Sequence, residues 1–516
     1  MATVYGIDLG TTYSCIAKYD GQHVSTFKPK GASIGGTVLP SVVCFKAEDG
    51  TPIVGDSAKA GMKSPKLAPQ TLALFKRFMG QENCGKQIKR NGVMQHVSPV
   101  EGSACILHSL LTSANEDQRA SRLPEVRKAV ITIPAGFTSH QRDCTKAAAQ
   151  LAGIEVLGLI HEPTAAAISY NIAGGETIMV FDLGGGTLDV SIVHNEAGTY
   201  RTLASSSDFD VLNRYVGGQD WDEALIDFAC DEMGLNRDKS DYVQEGFLHD
   251  AAENCKILLT TNSEAPFTLD MRNTIDVKRS DFERITRHLV SHCIKVVEAA
   301  LQKCTKRIDR CVLAGGSSNM PMIRQALTRT LGGRIGSGSE QQWFPIGDAE
   351  NAIANGAARY AYMLETGAAK IEEKSSHSYG TLIGSAGQYS IQNLILSTHP
   401  MIYSGKNLFR PRNDKQTAIM VDVYENNSTE EVVPYDAKQH PRLFSKEYRF
   451  DHPEKVTTKL SITFAVSRDK DGIISIKVSC EGQHTEDYQI STVVPPINDQ
   501  VRQQILKSIQ LMDKAQ

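Results

Sequence analysis

Two distant stretches of the chain share one pattern of apolar and polar positions. Residues 4–8 and 178–182 are largely apolar runs that end in aspartate, and each is followed by a turn of small residues and a second strand-like run. This pattern predicts a strand, a tight turn and a second strand. Its repetition predicts a duplicated fold whose halves face each other, although either hairpin alone also fits an ordinary glycine-rich turn.

Both turns have the composition of a phosphate-binding site. Glycine lets backbone N–H groups approach a ligand, and the neighbouring carboxylates of Asp8, Asp182 and Asp189 are suited to a hydrated Mg²⁺ ion. The residues predicted to hold phosphates are Gly10, Thr11, Thr12, Gly184, Gly185, Gly186 and Thr187. The sequence contains no GxxxxGK[ST] loop, so the turns predict neither a P-loop nor a dinucleotide-binding fold.

Strand-like and helix-like segments alternate up to about residue 370, as they do in an α/β domain. A strand is predicted at Val130–Pro134, and helices are predicted at Leu72–Met79 and Thr138–Ala152. Residues 366–378 are small, polar and charged, which predicts an interdomain linker.

The chain after the linker changes to short alternating strands, which predicts an antiparallel β-sandwich. The strands are predicted at Ser390–Leu396, Ala418–Tyr424, Lys459–Val466 and Ile473–Ser479. Asp469–Gly472 is predicted to be a hairpin turn, and Asn498–Met512 an amphipathic helix with an asparagine cap. The apolar face of this helix consists of Val501, Ile505, Ile509 and Met512.

Composition narrows the class of protein. A length of 516 residues predicts more than one domain, and 41% hydrophobic with 22% charged residues is typical of globular proteins. A net charge of -4 gives no reason to expect nucleic acid or membrane partners. The 11 cysteines are scattered and include no CxxC pair, and a strand is predicted at the very N-terminus. We therefore expect reduced thiols, no signal peptide and a cytoplasmic location.

Five segments resemble the signatures of the seventy-kilodalton heat-shock chaperone family. They are Asp8–Cys15, Ile133–Ala135, His161–Ala167, Asp182–Asp189 and Ala314–Ser318. The resemblance implies an α/β, actin-like, two-lobed ATPase domain at 1–369 and a polar linker at 370–378. It further implies a peptide-binding β-sandwich at 379–496 and a short helix at 497–516 as the stub of a lid. The implied ligands are ATP and ADP with Mg²⁺, and K⁺ as a monovalent ion.

The resemblance also assigns catalytic roles. Lys76 matches the family's catalytic lysine, and an ammonium group near the γ-phosphate offsets developing charge. Glu162 matches a glutamate near the metal and the attacking water, which Asp182 and Thr187 would help to order. Taken without the resemblance, Lys76 is also explained as a solvated helix lysine and Glu162 as a carboxylate at a helix start.

Further residues are implied to contact the nucleotide or a peptide. The nucleotide contacts are Tyr13, Gly217, Gly218, Glu253, Lys256, Thr260, Gly315, Gly316, Ser317, Asn319 and Glu350. Glu253 and Lys256 share a helix face, so an exposed ion pair is the alternative. Ile419 and Val421 match positions that line the peptide groove, and the alternative is that they belong to the core of the sandwich.

The chain departs from the family at three places. Lys370–Lys374 stands where the family has a short run of leucines that docks on the ATPase domain. Gly158 occupies the position of the arginine that docks a J-domain protein. Asn319 replaces an arginine that packs on adenine, and Ile257 occupies the other stacking position. We expect intact phosphate chemistry, weakened interdomain coupling and weak contacts to the base.

The sequence therefore predicts an ATP-dependent chaperone that binds unfolded, apolar polypeptide segments. The alternative is an ATP-binding co-chaperone or nucleotide-exchange factor that acts on a full-length chaperone. A sugar kinase on the same lobes is disfavoured by the predicted β-domain and by the Glu162–Ala167 segment. A J-domain protein remains a possible partner despite Gly158.

Overall fold

The computed structural model describes residues 4–515 except 33–35, 82, 336–349, 369–370, 373–376, 386–387, 398, 400–402, 438–439, 469–472 and 491–496. The chain forms two compact units. The first contains residues 1–136, 141–370 and 497–516, and the second contains residues 137–140 and 371–496.

The first unit is a mixed α/β structure. Its strands are β1 (Tyr5–Asp8), β2 (Tyr13–Tyr19), β3 (Val24–Thr26), β4 (Val38–Pro40), β5 (Val42–Phe45), β6 (Pro52–Val54), β7 (Thr71–Ala73), β8 (Lys86–Arg90), β9 (Val93–Val97), β10 (Lys128–Ile133), β11 (Glu155–His161), β12 (Thr177–Leu183), β13 (Leu188–Glu196), β14 (Thr199–Ser207), β15 (Glu264–Thr268), β16 (Thr274–Lys278) and β17 (Arg310–Ala314). Within the described residues the α-helices are α1 (Asp56–Gly61), α2 (Pro99–Ala120), α3 (Ser139–Leu151), α4 (Glu162–Ser169), α5 (Asp208–Leu212), α6 (Gly218–Met233), α7 (Tyr242–Thr261), α8 (Arg279–Ile285), α9 (Arg287–Gln302), α10 (Pro321–Leu331), α11 (Ala352–Glu365) and α12 (Asp499–Ala515).

Two sheets of the first unit repeat one local plan. In one sheet β1 pairs antiparallel with β2 and parallel with β10. In the other, β12 pairs antiparallel with β13 and parallel with β17. Each of the two predicted hairpins therefore has a parallel strand on its free side, which confirms the prediction of a repeated unit. The four residues of β1 and the seven of β12 are buried throughout, as their apolar runs require.

The segment that carries Lys76 differs from its prediction. A helix was expected at Leu72–Met79, but β7 ends at Ala73 and a 3₁₀-helix follows at Phe75–Phe78. Between them Leu74 has a φ of 59°. This left-handed conformation is unfavourable for a residue with a Cβ, and it ends the strand and reverses the chain. The i, i+3 spacing of Leu72, Phe75 and Phe78 suits a helix, but residue type alone does not reveal a left-handed leucine.

The C-terminal helix α12 belongs to the first unit. The Asn498 side chain accepts a hydrogen bond from the backbone N–H of Val501 at 2.9 Å, which confirms the predicted cap. Ile505, Ile509 and Met512 are buried, as the amphipathic pattern predicted.

A buried charge anchors α12 to α2. Glu101 of α2 is fully buried and accepts hydrogen bonds from Gln504 at 2.6 Å and Ser508 at 2.7 Å. The guanidinium of Arg90 also donates to Glu101 at 2.6 Å, so the carboxylate is neutralised and hydrogen-bonded at once. The helix predicted as the stub of a lid thus packs on the first unit.

The second unit consists of two antiparallel sheets. The strands of these sheets are β19 (Ser378–Ser385), β20 (Gln388–Ile395), β21 (Tyr403–Phe409), β22 (Ala418–Asn426), β23 (Val432–Pro434), β24 (Arg442–Arg449), β25 (Ile462–Arg468), β26 (Ile474–Cys480) and β27 (Glu486–Ile490). The two-residue strand β18 (Ile371–Glu372) precedes them in the chain and belongs to neither sheet. One sheet has the order β23-β20-β19-β22-β24, and the other has the order β21-β25-β26-β27. Val423, Phe464 and Ile476 belong to one apolar cluster that joins both sheets, as in a sandwich.

The four strands predicted in this region correspond to β20, β22, β25 and β26. The predicted turn Asp469–Gly472 lies outside the described residues, although β25 and β26 do pair antiparallel. Of the predicted linker, residues 370 and 373–376 also lie outside the described part of the chain. Ile371 is half-buried and Glu372 is exposed. Among the described residues, we find no helix long and apolar enough to cross a membrane.

Candidate functional site

The two glycine turns of the first unit meet each other. A Cβ added to Gly185 would overlap the side chain of Thr12, and one added to Gly186 would overlap Thr11. A Cβ on Gly10 would overlap the carbonyl oxygen of Tyr13 inside its own turn. Glycine is therefore favoured at 185 and 186 because the threonine side chains of the other turn occupy the space of a Cβ, and at 10 because its own turn is tight.

A cavity of about 920 Å³ opens beside these turns. The predicted residues that line it are Asp8, Thr11, Thr12, Tyr13, Lys76, Glu162, Asp182, Gly184, Gly185, Thr187, Glu253, Lys256, Thr260, Gly315, Gly316, Ser317, Asn319 and Glu350. The other predicted residues of this unit are not part of the lining: they are Gly10, Gly186, Gly217, Gly218 and Asp189. A cavity of this size is within the range that holds a nucleotide-sized ligand.

Three carboxylates and one ammonium group lie at the bottom of the cavity. The Nζ atom of Lys76 donates a short hydrogen bond to Glu162, and both side chains are buried. The Thr132 hydroxyl donates to Asp8 at 2.9 Å. Burial and the neighbouring charge of Glu162 raise the pKa of Asp8 to about 7. Burial, Glu162 and Asp8 together hold the pKa of Asp182 well above its usual range.

These raised pKa values have a simple physical cause. Asp8, Glu162 and Asp182 place three carboxylates around a single lysine in a region with little water. Such a set of oxygen donors is suited to a hard divalent cation that keeps part of its water shell. Mg²⁺ fits this set of ligands, and when bound it would supply the positive charge that the site lacks.

On another wall of the cavity, a set of paired charges bridges distant parts of the chain. Glu253 of α7 accepts hydrogen bonds from Tyr13 at 2.9 Å and from Lys59 of α1 at 2.5 Å. Burial alone would raise the pKa of Glu253, but the Lys59 ammonium holds it below its usual value. Lys256 bonds to Asp222 at 2.8 Å. Glu253 and Lys256 therefore do not pair with each other on an exposed helix face; each turns to a different partner.

The third glycine turn follows β17 and is fixed against β12. Gly315 has a φ of 74°, and a Cβ there would lie 2.5 Å from the carbonyl oxygen of Leu183. The Ser318 hydroxyl accepts a hydrogen bond from the backbone N–H of Leu183 at 3.0 Å. The turn thereby places Ser317 and Asn319 on the cavity wall. Ile257, also in the lining, is 57% exposed and contributes apolar surface.

The two predicted peptide contacts lie in the second unit. Val421 is fully buried in the core of the sandwich, which is the alternative considered for it. Ile419 is partly buried and packs against the same core. Between them Met420 is 53% exposed.

Sequence reasoning missed several polar residues of the lining, among them Lys59, Asp222 and Gln219. Lys59 is 194 positions from its partner Glu253, and Asp222 is 34 positions from Lys256. Ion pairs over such separations depend on the tertiary fold, and the spacing of neighbouring residues in the sequence does not predict them. Gln219 follows the Gly217–Gly218 pair directly and could have been included with it.

Comparison with known proteins gives a consistent result. The family described as "Hsp70 protein" matches residues 4–508. The chain is 35% identical over 350 residues to the chaperone protein DnaK of Mycoplasmopsis synoviae, an alignment that covers 64% of this chain and 54% of that protein. It is 34% identical over 388 residues to DnaK of Elusimicrobium minutum, which covers 70% of this chain and 58% of the relative. The matched regions thus span little more than half the length of these relatives. Since the family match covers nearly the entire sequence, the chain belongs to the Hsp70 family.

Proposed function

We propose that the first unit binds ATP with Mg²⁺ and hydrolyses it slowly, and that the β-sandwich unit binds extended apolar segments of unfolded polypeptides. The chain would then be a chaperone with weakened coupling between nucleotide and peptide binding. The observation that carries the proposal is the single cavity in which the glycine turns, the acidic cluster and Lys76 meet.

Each group has a role that follows from its chemistry. Backbone N–H groups of the two turns hold the phosphates, and the hydroxyls of Thr11, Thr12 and Thr187 add further donors. Asp8 and Asp182 would hold the hydrated Mg²⁺, which offsets phosphate charge when bound, and Asp189 and K⁺ would complete the ionic environment.

Hydrolysis needs an ordered water and a cation near the γ-phosphate. The carboxylate of Glu162 can accept a proton or a hydrogen bond from the water, with Asp182 and Thr187 restricting its orientation. The ammonium group of Lys76 is buried beside Glu162, so its charge acts in a medium of low polarity. The lysine therefore contributes more to stabilising the transition state than it would on the surface.

Peptide binding is proposed for the second unit on its sheet architecture and its family. Main-chain hydrogen bonds and an apolar pocket suffice to hold an extended chain. Because Val421 is enclosed in the core, Ile419 and its exposed neighbour Met420 are the better placed apolar contacts on β22.

A nucleotide-binding co-chaperone or exchange factor is the second candidate. Gly158 and the charged linker favour it, since both remove features that the family uses to connect ATP hydrolysis with its partners. In that case ATP would bind without productive turnover. A measurement of ATP hydrolysis therefore separates the two candidates.

The experiment is a single-turnover measurement of ATP hydrolysis with the purified chain. Lys76→Ala should keep ATP binding within a few-fold and lose at least tenfold in hydrolysis rate, because one charge near the transferred phosphoryl group is removed. The control is Lys89→Ala, which removes an exposed lysine of the same unit that does not line the cavity. Equal rates for the two variants would exclude Lys76 from the chemical step, and ATP binding without hydrolysis by the unmodified chain would favour the co-chaperone.

A further inference from the structure

Arg77 follows Lys76 directly but faces a different environment. Lys76 is 3% exposed and bonds to Glu162. The side chain of Arg77 is 15% exposed and is not part of the cavity lining. The short 3₁₀-helix that begins after Leu74 makes this divergence possible, because consecutive residues on a helix point about a third of a turn apart.

The guanidinium of Arg77 spans three acceptors. Its Nε donates to the carbonyl oxygen of Gly186 at 2.7 Å, and one terminal nitrogen donates to the side-chain oxygen of Gln219 at 3.1 Å. The other terminal nitrogen donates to Asp220 at 3.3 Å. Three acceptors arranged around one planar group match arginine, and a lysine ammonium could not reproduce the fork.

These acceptors belong to one tightly connected piece of backbone. The N–H of Gly218 donates to Gly184 and the N–H of Gln219 donates to Gly185, both at 2.9 Å. Asp220 accepts from the N–H of Gly217 at 2.8 Å and so caps α6. The second phosphate turn and the start of α6 therefore move together.

We infer that Arg77 is a positioning residue that ties the second phosphate turn to the segment carrying Lys76. Through it, the spacing between the phosphates held by Gly184–Thr187 and the ammonium of Lys76 is fixed. The catalytic part of this inference rests on the proposed ATPase activity, whereas the mechanical link between the two segments does not.

The chain offers a matched control. Arg214 also bonds to Asp220, at 3.0 Å, but its side chain is 50% exposed. Its Nε also donates a hydrogen bond to the carbonyl oxygen of Tyr215 at 3.4 Å. Arg214→Ala therefore removes a cation from the same carboxylate and leaves the contact to Gly186 in place.

The first test is hydrogen–deuterium exchange of the protein without nucleotide. Arg77→Ala should increase exchange severalfold in peptides covering residues 71–79 and 183–190, and Arg214→Ala should leave both unchanged. Arg77→Lys, which keeps the charge and serves if the alanine variant folds poorly, should increase exchange in the same two peptides. Unchanged exchange in these peptides in the Arg77 variants, or an equal increase in Arg214→Ala, overturns the link.

The second test separates positioning from binding. Arg77→Ala should lower the single-turnover rate of ATP hydrolysis about tenfold while the dissociation constant of ATP changes less than threefold, and Arg214→Ala should change neither. A loss of affinity in proportion to the rate would show that Arg77 supports the fold of the cleft in general, and would overturn the positioning role. If the unmodified chain hydrolyses no ATP, the proposed function fails, and the exchange experiment still decides whether the link exists.

Discussion

If the first unit binds ATP as proposed, Asn319 and Ile257 are the residues expected to contact adenine. Asn319 ends the 3₁₀-turn after β17, and Ile257 lies on α7; both line the cavity. Neither offers a cation for the face of an aromatic base. Apolar contact and an amide remain, so on the proposed function we expect most of the affinity for ATP to come from the phosphates and the sugar.

We expect Asn319→Arg to tighten ATP binding several-fold, since a guanidinium over an aromatic face contributes about 0.5–2 kcal/mol. Isothermal titration calorimetry measures the change, with Asn319→Gln as the control that lengthens the side chain without adding charge. An unchanged dissociation constant in the arginine variant would mean that adenine is held by another wall of the cavity.

The residues that could be predicted are those whose chemistry and local backbone both show in the sequence. Gly185 and Gly186 had to be glycine because the turns touch, and Asp8 and Asp182 stand at the ends of strands that lead into those turns. The paired charges Lys59 and Asp222 could not be predicted, because their partners are brought to them only by the folded chain.

At the scale of elements, some features of α12 could be predicted from the sequence and others could not. Its length, cap and apolar face follow from the pattern of residues 498–512, but the pattern does not name the surface that the face covers. That surface is α2, where the buried Glu101 accepts from both Gln504 and Ser508. His108 of α2 also contacts Asp513 at 2.8 Å, near the end of the helix.

We expect Ile505→Ala to loosen α12 from α2. Ile505 is fully buried, and removing such a side chain to alanine costs about 2–5 kcal/mol, a large fraction of what holds one short helix in place. Hydrogen–deuterium exchange of residues 499–515 should rise by an order of magnitude or more, with Gln510→Ala on the exposed face as the control. Full protection of α12 in the Ile505 variant would show that the Glu101 network holds the helix without the apolar face.

The segment that contains Lys76 shows how the position of an element can be predicted correctly while its type of secondary structure is predicted wrongly. Leu72 and Phe75 are buried, and a Cβ on Gly102 of α2 would lie 3.1 Å from the ring of Phe75, so these two residues pack as the spacing suggests, whereas Phe78 is 43% exposed. The left-handed backbone of Leu74 then limits the helix to the four residues Phe75–Phe78. Packing and contacts of the neighbouring side chains, including those of Arg77, offset the conformational cost at Leu74.

At the scale of the whole molecule, the repeated hairpin accounts for the proposed phosphate site. Each hairpin places one turn at the end of a buried strand, and the parallel partners β10 and β17 hold the strands from the other side. Two turns that face each other can surround a phosphate chain that neither could hold alone. The repetition was visible in the sequence because both copies keep the aspartate and the glycine at the same offset.

The linker is the segment through which nucleotide binding in the first unit would be coupled to peptide binding in the second. In the family's pattern, a run of leucines buries apolar area on the ATPase domain, and two or three leucines contribute several kcal/mol at roughly 25 cal/mol per Å². This chain has Lys370–Lys374 there, with Ile371 as the only large apolar residue and two glutamates that resist desolvation. On the proposed function, we therefore expect a small free energy of coupling between the nucleotide state and peptide binding.

We therefore expect the affinity for a fluorescent apolar peptide to change less than tenfold between ATP and ADP, which corresponds to less than about 1.4 kcal/mol of coupling. Fluorescence anisotropy measures this, and the Lys76→Ala variant keeps ATP intact during the titration. J-domain proteins should stimulate hydrolysis weakly, because Gly158 cannot supply the charged docking partner.

Glu372→Leu combined with Glu373→Leu should enlarge the difference in peptide affinity between the nucleotide states, since apolar area is restored at the same positions. A tenfold or larger weakening of peptide binding by ATP in the unmodified linker would show that coupling in this chain runs through contacts other than a leucine linker.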